Sequence, residues 1–245
     1  MKPIVVALIP ARYDASRFPG KLMQVLKGKT IIRRTFEAVQ KSALFNRVVV
    51  VCDDERIEHE IQGIGGATFR STRAFESGSD RIAEAAAQIE ADVIVNVQAD
   101  EPFIAEEAMQ KLIELFSNPE VQIASLMMPI YDPEKFRNPN CVKVVVDHHK
   151  RALYFSRAPI PFLRDGGIPA TAFQHIGVYA FRKNALLEFT QIPPSSLEQS
   201  EKLENLRMLE NGMTIHLAVI ESVGISIDTP EDFKAAELFL EQDGE

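Results

Sequence analysis

Residues 3–34 read PIVVALIPARYDASRFPGKLMQVLKGKTIIRR. The first six of them, Pro3 to Leu8, are apolar and rich in β-branched side chains, which predicts a buried parallel strand. A helical pattern begins only near Thr30, so the connection is about 20 residues long, whereas connections of 2 to 6 residues are usual. The stretch therefore predicts an α/β fold whose first loop has a function.

This loop is strongly basic, although the chain as a whole is acidic. Seven Lys and Arg residues and one acidic residue lie between Ile9 and Arg34, while the 245-residue chain has a formal net charge of −8. In open α/β sheets, a loop that leads from a central strand to a helix N-terminus is where phosphate groups bind. Arg12, Arg17 and Lys21 are therefore predicted to bind a polyphosphate, with a solvated surface loop as the alternative.

The loop contains a partial P-loop pattern that does not hold. Gly28-Lys29-Thr30 resembles the end of that motif, but its first glycine would fall at position 23, which is Met. The glycine that is present, Gly20, belongs instead to a Pro-Gly turn directly before Lys21. A P-loop nucleotide site is therefore excluded, and the phosphate prediction depends on the basic side chains.

Composition indicates an ordinary globular protein, with 46% hydrophobic and 25% charged residues. The N-terminus has no signal-peptide pattern and no stretch suits a membrane span, so neither secretion nor membrane insertion is expected. Two cysteines are too few for a disulfide framework, which favours a reducing cytoplasm. Because the basic cluster is local in an acidic chain, the expected partner is a small polyanion and not a nucleic acid.

Strands and helices alternate along the first half of the chain, and a predicted hairpin interrupts this order in the second half. The predicted helices cover residues 30–43, 53–61 with Asp53 as cap, 79–87, 104–116, 197–210 and 229–240. The predicted strands cover residues 3–8, 47–52, the region of 68, 92–97, 121–128, 142–147, 152–156, 173–181 and 214–220. We predict a mixed, mostly parallel α/β sandwich in which residues from about 130 to 215 add antiparallel strands.

Two aspartates follow apolar segments at element boundaries. Asp100 comes with Gln98 and Glu101 at the end of a buried strand, and Asp228 directly precedes the final predicted helix. Mg²⁺ is usually bound through one or two carboxylates together with substrate phosphates. Asp100 and Asp228 are therefore predicted magnesium ligands, with a strand-end turn and a helix cap as their respective alternatives, although Thr229 already suits the cap.

Two further segments allow two interpretations each. The Ser-Gly turn within Arg73–Arg81 leads into a helix, so this segment either contacts a base or ribose or is a plain capped helix. His175 and Tyr179 share one face of a predicted strand, where they either line a sugar pocket or are hydrogen-bonded core groups. No His or Cys spacing fits zinc, and no nucleophile motif supports covalent catalysis.

Six blocks of sequence together carry a family resemblance. They are IPARY at 9–13, SRFPGK at 16–21, VNVQADEP at 95–102, ALYFSR at 152–157, HIGVY at 175–179 and DTPED at 228–232. In this order and spacing, the chain resembles the 3-deoxy-manno-octulosonate cytidylyltransferases, or CMP-Kdo synthetases. The resemblance implies a Rossmann-like nucleotidyltransferase fold, a three-layer α/β/α sandwich in a single domain over residues 1–245. It also implies a homodimer, with residues from about 130 to 215 forming the sugar-binding and dimerisation region.

The activity that the resemblance implies is a magnesium-dependent reaction of CTP with Kdo, giving CMP-Kdo and pyrophosphate for lipopolysaccharide biosynthesis. The implied catalytic residues are Arg12, Arg17 and Lys21 on the phosphates and Asp100 and Asp228 on magnesium. The implied nucleotide-binding residues are Arg12, Ser16, Arg17, Lys21, Thr72, Arg73, Ser77 and Gln98. The implied sugar-binding residues are Arg157, His175, Tyr179 and Glu204. Catalysis would then consist of positioning and charge neutralisation, without an identified general base.

The chain departs from the family pattern at two positions that border the expected pocket. Ala99 stands where the family usually has Gly, and Asn205 stands where it usually has Gln. Changes of this size are worth about 1–3 kcal/mol, which is enough to alter substrate preference. A close analogue such as 8-amino-Kdo is therefore an alternative acceptor, and another sugar acid such as a sialic acid is a second. A non-catalytic nucleotide-sensing module is the alternative outside the enzymes.

Overall fold

The computed structural model describes residues 2–14, 18–71, 78–169, 171–222 and 224–242. The strands in these residues are β1 Val5–Ala11, β2 Val25–Leu26, β3 Lys29–Thr30, β4 Arg47–Cys52, β5 Ala67–Arg70, β6 Val93–Asn96, β7 Ile123–Pro129, β8 Lys143–Val146, β9 Ala152–Ser156, β10 Phe173–Arg182 and β11 Ile215–Val219. The α-helices are α1 Ile31–Lys41, α2 Glu55–Gln62, α3 Gly78–Gln88, α4 Glu106–Glu114, α5 Pro133–Arg137, α6 Lys183–Phe189, α7 Ser196–Glu201, α8 Asn205–Glu210 and α9 Pro230–Gln242. Two 3₁₀ turns lie at Lys21–Met23 and Leu115–Ser117.

The chain divides into two compact units, and the first consists of Met1–Met109 and Val223–Glu245. Its sheet has the strand order β6-β1-β4-β5, and every pair in it is parallel. Helices α1 and α2 pack against these strands and against each other. Because parallel crossovers are right-handed, the return from the edge strand β5 through α3 to β6 places α3 on the opposite face. The first unit is therefore doubly wound.

The first strand is buried along nearly its whole length, as its apolar composition predicts. Its bounds differ from the prediction of 3–8, because parallel pairing with β4 continues through Ile9 and Pro10 to Ala11. The loop that follows also contains local structure, namely the 3₁₀ turn at Lys21–Met23 and the short hairpin of β2 and β3. Long-range pairing and turn formation therefore shorten the irregular part of this connection.

Two helix caps were predicted, Asp53 for α2 and Thr229 for the last helix, while the predicted start of α1 near Thr30 named no cap. In the structure Thr30 caps α1 by accepting a hydrogen bond from the Arg33 amide at 3.3 Å. The predicted cap of α2 at Asp53 is wrong by one position, because Asp54 accepts the bond from the Arg56 amide at 2.9 Å. Two adjacent aspartates precede this helix, and capping preference alone does not distinguish them. The other predicted cap, Thr229, is described with the candidate active site.

The second unit consists of Gln110–Ser222. Its strand order is β11-β7-β10-β8-β9, in which β11 and β7 are parallel and the other neighbours are antiparallel. The predicted hairpin of β8 and β9 is confirmed, and the predicted region from about 130 to 215 lies within this unit. The strand pairings within the two units confirm the mixed, mostly parallel α/β fold, while the single domain over residues 1–245 stays a prediction.

The predicted helix over residues 197–210 is wrong, because the chain forms two short helices there. The break lies at Lys202, whose φ of 54° is left-handed, and Leu203 N then bonds back to Glu198 O at 3.3 Å. Helices α5 and α6 were not predicted, since five and seven residues are too few to show a period. Of the helices described, none combines the length and the apolar character that crossing a membrane requires.

Candidate active site

Lys21 stands at the centre of a charged cluster in the first unit. It follows Gly20, whose φ of 63° is a conformation that favours glycine. Lys21 is only 8% exposed, and its Nζ lies 2.5 Å from Asp100 Oδ2 and 3.1 Å from Asp228 Oδ1. The two carboxylates compensate the cost of withdrawing this ammonium group from water. The structure therefore brings together three of the five predicted catalytic residues.

Asp100 is held by hydrogen bonds to the backbone around it. Its carbonyl oxygen accepts a bond from Ile227 N at 2.9 Å, which joins the end of the β6 segment to the residue before Asp228. The preceding carbonyl, that of Ala99, accepts a bond from the buried Thr35 hydroxyl at 2.9 Å. Ala99 itself is 5% exposed. This position, where the family usually has glycine, therefore lies packed beside the carboxylate.

Asp228 precedes a helix whose N-terminus is closed by two other residues. Asp232 Oδ2 accepts bonds from the amides of Asp228 and Thr229 at 3.0 and 2.8 Å, and Thr229 Oγ1 accepts from Asp232 N at 3.2 Å. This reciprocal arrangement is a capping box, which confirms the predicted start of α9. Since capping is complete without it, the Asp228 carboxylate is available to Lys21.

Glu101 adds a third carboxyl group to this part of the first unit. Burial raises its pKa to about 7, and the charges of Asp100 and Asp228 contribute to the same increase. The contribution of the two aspartates shows that a negative potential acts on Glu101 in addition to its desolvation, and a negative potential suits a cation. The described residues contain no ready-made group of three or more His, Cys, Asp or Glu side chains for a metal. A cation here would therefore depend on two carboxylates and further ligands.

An ion pair between the buried Arg81 and the exposed Asp53 fixes the beginning of the basic loop, and the sequence analysis did not identify it. Arg81 Nη1 lies 2.7 Å from Asp53 Oδ2 and 3.2 Å from the carbonyl oxygen of Ala11. Asp53 Oδ1 also accepts a bond from Tyr13 N at 3.1 Å. Arg12 lies between these anchored residues and is exposed. The position of Asp53 after a buried strand was the available signal, but it was interpreted as a helix cap.

The other predicted nucleotide residues fall into two groups. Ser16, Arg17, Thr72, Arg73 and Ser77 lie outside the described residues. Gln98 is described, and it lies partly buried shortly after β6. Lys29, the lysine of the partial P-loop pattern, is bound to Glu37 Oε2 at 2.6 Å, which agrees with the exclusion of that motif.

His175 and Tyr179 lie on β10 in the second unit, and their ring centroids are 5.4 Å apart. His175 also contacts the Phe155 ring edge-on at 4.8 Å, and its Nε2 lies 2.9 Å from Ser125 Oγ. Desolvation by the surrounding protein lowers the pKa of His175 to about 3, so the imidazole is neutral at pH 7. Both predicted side chains therefore belong to one polar and aromatic cluster.

Tyr179 is joined to the start of α8, where the family departure at Asn205 lies. Burial raises the pKa of Tyr179, and the nearby Asn205 side chain opposes this increase. The neighbouring Glu204 lies 3.6 Å from Arg207, measured from Oε1 to Nη2. Three of the four predicted sugar residues, His175, Tyr179 and Glu204, are thus linked through β10 and α8 of this unit.

Arg157, the fourth predicted sugar residue, is bound to backbone carbonyls. Its Nε donates to Glu201 O at 2.8 Å and its Nη1 donates to Pro139 O at 3.0 Å. The Glu201 carboxylate in turn accepts from Arg157 N at 2.9 Å and from Ser156 Oγ at 2.6 Å. The guanidinium is therefore held in place by its own unit.

Lys143 stabilises the backbone next to Arg157. Its side chain is fully buried, and its Nζ donates to the carbonyl oxygens of Cys141 and Arg157, each at 2.6 Å, and of Asn138 at 2.9 Å. Desolvation lowers the pKa of this ammonium group. These bonds replace water as its partners, so Lys143 is a structural cation that the sequence pattern did not reveal.

Comparison with known proteins then identifies the family. The profile of the Cytidylyltransferase family matches residues 6–215. A 3-deoxy-manno-octulosonate cytidylyltransferase of Flavobacterium johnsoniae is 49% identical over 239 residues, covering 96% of this chain and 98% of the relative. The chain is a member of this cytidylyltransferase family. A relative of the same name from Christiangramia forsetii is 47% identical, over 96% of both chains.

Solved structures agree with this assignment. A CMP:2-keto-3-deoxy-manno-octonic acid synthetase in complex with CTP superimposes with a TM-score of 0.93 at 35% identity, covering 98% of this chain and 99% of that one. A 4-diphosphocytidyl-2C-methyl-D-erythritol synthase from Anaerococcus prevotii superimposes with a TM-score of 0.64 at 14% identity, covering 97% and 98%. The second likeness shows the fold alone. The nucleotidyltransferase fold predicted from the resemblance is therefore confirmed.

The close approach of Gly224 to Phe103 generates a prediction about this cytidylyltransferase. A Cβ at Gly224 would overlap the carbonyl oxygen of Phe103, so Gly224→Ala must displace the segment that carries Ile227 and Asp228. We expect a loss of about 1–3 kcal/mol of unfolding free energy by urea titration, since overpacking costs that much. Ser226→Ala, at an exposed position in the same segment, is the control and should leave stability unchanged. Equal stability of both variants would contradict the close approach.

The raised pKa of Glu101 generates a second prediction. A carboxyl group whose pKa is higher in the folded state favours folding while it is protonated, and this contribution is lost as pH rises from about 4.5 to about 7. Glu101→Gln stays neutral, so in metal-free buffer the variant should gain stability over the wild type across this interval. The gain at pH 8 should be on the order of 1–3 kcal/mol, since one pKa unit corresponds to about 1.4 kcal/mol.

Urea unfolding at several pH values measures this difference between variant and wild type. Glu90→Gln is the control, because Glu90 is exposed and its neutralisation should not change the pH dependence. If the stability of Glu101→Gln and that of the wild type decrease in parallel above pH 5, then the pKa of Glu101 is not raised in the folded state.

Proposed function

We propose that this chain is a 3-deoxy-manno-octulosonate cytidylyltransferase, which couples CTP with Kdo to form CMP-Kdo and pyrophosphate for lipopolysaccharide biosynthesis. The observation that carries the proposal is the contact of Lys21 with Asp100 and Asp228, which lie 79 and 207 positions away in the sequence. The relatives that bear this name cover almost the whole chain. The structural neighbour at 35% identity is, by its title, a complex with CTP.

In this proposal the basic loop binds the triphosphate of CTP. Arg12 and Lys21 are the proposed phosphate ligands among the described residues of the loop, and Ser16 and Arg17 complete the proposed set. Thr72, Arg73, Ser77 and Gln98 are the proposed contacts of the nucleoside. The anchoring of Ala11 and Tyr13 by Arg81 and Asp53 supports this assignment, because it holds the backbone on both sides of Arg12.

Asp100 and Asp228 are the proposed ligands of Mg²⁺. The donor set fits this ion, since it consists of two hard carboxylates. Burial is the main cause of the raised pKa of Glu101, and the negative charges of the same two carboxylates add to it. When bound, magnesium would neutralise phosphate charge and acidify the attacking hydroxyl group. The chain's own contribution is to fix both carboxylates through the Ile227 amide and the capping box of α9.

The acceptor in this proposal is bound by Arg157, His175, Tyr179 and Glu204. His175 and Tyr179 are uncharged at pH 7, which suits the hydroxyl groups of a sugar, while a fixed guanidinium such as Arg157 suits its carboxylate. In the reaction, the anomeric hydroxyl attacks the α-phosphorus of CTP. The bond from that phosphorus to the pyrophosphate oxygen breaks, and the hydroxyl proton passes to solvent.

The proposal includes a homodimer and a cytoplasmic location. Exposed aromatic side chains in the second unit support a second copy as partner, since Phe162 is 87% exposed and Tyr131 is 86% exposed. Both cysteines, Cys52 and Cys141, are free and buried, which is compatible with a reducing compartment.

Pyrophosphate release from CTP tests the proposed reaction. With magnesium present, Kdo should support turnover, and 8-amino-Kdo and a sialic acid should support less. Asp100→Asn and Asp228→Asn should each lower turnover by about 100-fold or more, as expected for groups that neutralise phosphate charge. A chelator should abolish the reaction, and added magnesium should restore it.

Controls separate the alternatives in this assay. Asp165→Asn, at an exposed aspartate of the second unit, should leave turnover unchanged. A preference for 8-amino-Kdo would indicate that the departures at Ala99 and Asn205 change the acceptor specificity. CTP binding without release of pyrophosphate with any of the three sugar acids would support the nucleotide-sensing module instead.

Sedimentation velocity tests the homodimer separately from the chemistry. The wild type should sediment as a dimer, and Phe162→Asp should shift it towards the monomer, because a charge at an interface is costly to desolvate. Val25→Asp alters a side chain of the first unit that is 59% exposed and should leave the dimer intact. A monomeric wild type, or equal behaviour of the two variants, would contradict the proposed interface.

A further inference from the structure

Ser125 lies where the pairing between β7 and β10 is irregular. The register of the two strands shifts between Ile176 and Tyr179, and Ser125 pairs with Tyr179 at the edge of this bulge. The side chain of Ser125 is completely buried. Its Oγ lies 2.8 Å from the carbonyl oxygen of Val178, 3.1 Å from that of Ile176 and 2.9 Å from His175 Nε2. One hydroxyl group thus faces three polar atoms.

The number of protons decides the direction of these bonds. A serine hydroxyl has one proton to donate, and carbonyl oxygens can only accept. The proton therefore goes to a carbonyl, and the Val178 oxygen is the nearer of the two. The remaining contact, between Oγ and His175 Nε2, then requires the proton to be on Nε2. In a neutral imidazole this leaves Nδ1 as a hydrogen-bond acceptor.

The environment of His175 supports a neutral ring. Desolvation lowers its pKa to about 3, and its ring neighbours are the aromatic groups of Phe155 and Tyr179. Among the described residues, Ser125 is the group that hydrogen-bonds the imidazole.

We infer that Ser125 is a positioning residue, which fixes His175 as the Nε2–H tautomer so that Nδ1 accepts a hydrogen bond from a hydroxyl group of the sugar acid. The role of His175 in sugar binding rests on the proposed function, whereas the tautomer of His175 does not depend on it. An acceptor lone pair binds a hydroxyl and repels a carboxylate. His175 therefore recognises a hydroxyl group, and the carboxylate of the sugar acid must be bound elsewhere.

Nitrogen NMR of the wild-type protein tests the tautomer directly. The chain has five histidines, so the imidazole signals of His175 are assigned by their loss in His175→Asn. At pH 7 we expect a protonated Nε2 and an unprotonated Nδ1. A proton on Nδ1 alone, or on both nitrogens, would overturn the inference. This result is independent of turnover, so it stands apart from the assay of the proposed function.

Kinetics test the positioning role. Ser125→Ala should raise the KM for Kdo by about 3- to 10-fold, the effect of one net hydrogen bond, with kcat and the KM for CTP little changed. Ser125→Thr keeps the hydroxyl and should restore most of the KM. Thr190→Val removes a hydroxyl that bonds the Leu187 carbonyl in the same unit and serves as the control.

A double variant separates action through His175 from a general structural effect. Asparagine at position 175 retains an acceptor near Nδ1 but does not reach Ser125, so Ser125→Ala should have no further effect on KM in His175→Asn. An equal rise in KM on both backgrounds would show that Ser125 acts without His175 and would refute the positioning role. If Ser125→Ala fails to fold, the NMR measurement on the wild type still decides the tautomer.

Discussion

The first unit depends on the partnership of one largely buried ammonium group with two carboxylates. Removing one partner of a buried ion pair typically costs about 3–5 kcal/mol, because the other charge then remains without compensation. Lys21 makes its bonds to Asp100 and Asp228 across 79 and 207 residues of sequence. It thereby joins the basic loop, the end of the β6 segment and the start of α9. The Ile227–Asp100 backbone bond and the glycine at 224 allow these segments to approach closely enough.

The second unit uses a different principle, in which neutral polar groups are held within an aromatic environment. Burial keeps His175 and Tyr179 in their uncharged forms, and Ser125 on the neighbouring strand hydrogen-bonds His175. A site that hydrogen-bonds a hydroxyl rejects analogues that lack it, because its own groups would be left unpaired. Charge neutralisation in one unit and directional hydrogen bonding in the other match the two kinds of substrate in the proposed reaction.

The sequence predicted those features that depend on local composition. The bounds of β4 and β9 were predicted correctly, since a β-branched run and a polar turn define them without reference to the rest of the chain. The charged cluster was also predicted, because residues at the carboxyl ends of parallel strands meet at one edge of a sheet. Features with distant partners were missed. Asp53 was predicted as a helix cap because its partner Arg81 is distant in the sequence. The end of α7 was also missed, since it lies where Glu201 binds the distant residues Ser156 and Arg157.

Lys21 and Lys29 show why a motif alone is a poor guide to function. Both lysines directly follow a glycine with positive φ in the same loop, and only Lys29 fits part of a familiar phosphate-binding pattern. The side chain of Lys29 is 43% exposed and bound to the nearby Glu37, an arrangement that contributes little to stability. The side chain of Lys21 is 10% exposed and has two carboxylate partners from distant segments. Lys143 is also buried, but its partners are neutral backbone carbonyls and its role is structural. The two carboxylate partners of Lys21, which no motif contains, therefore distinguish it from Lys29 and Lys143.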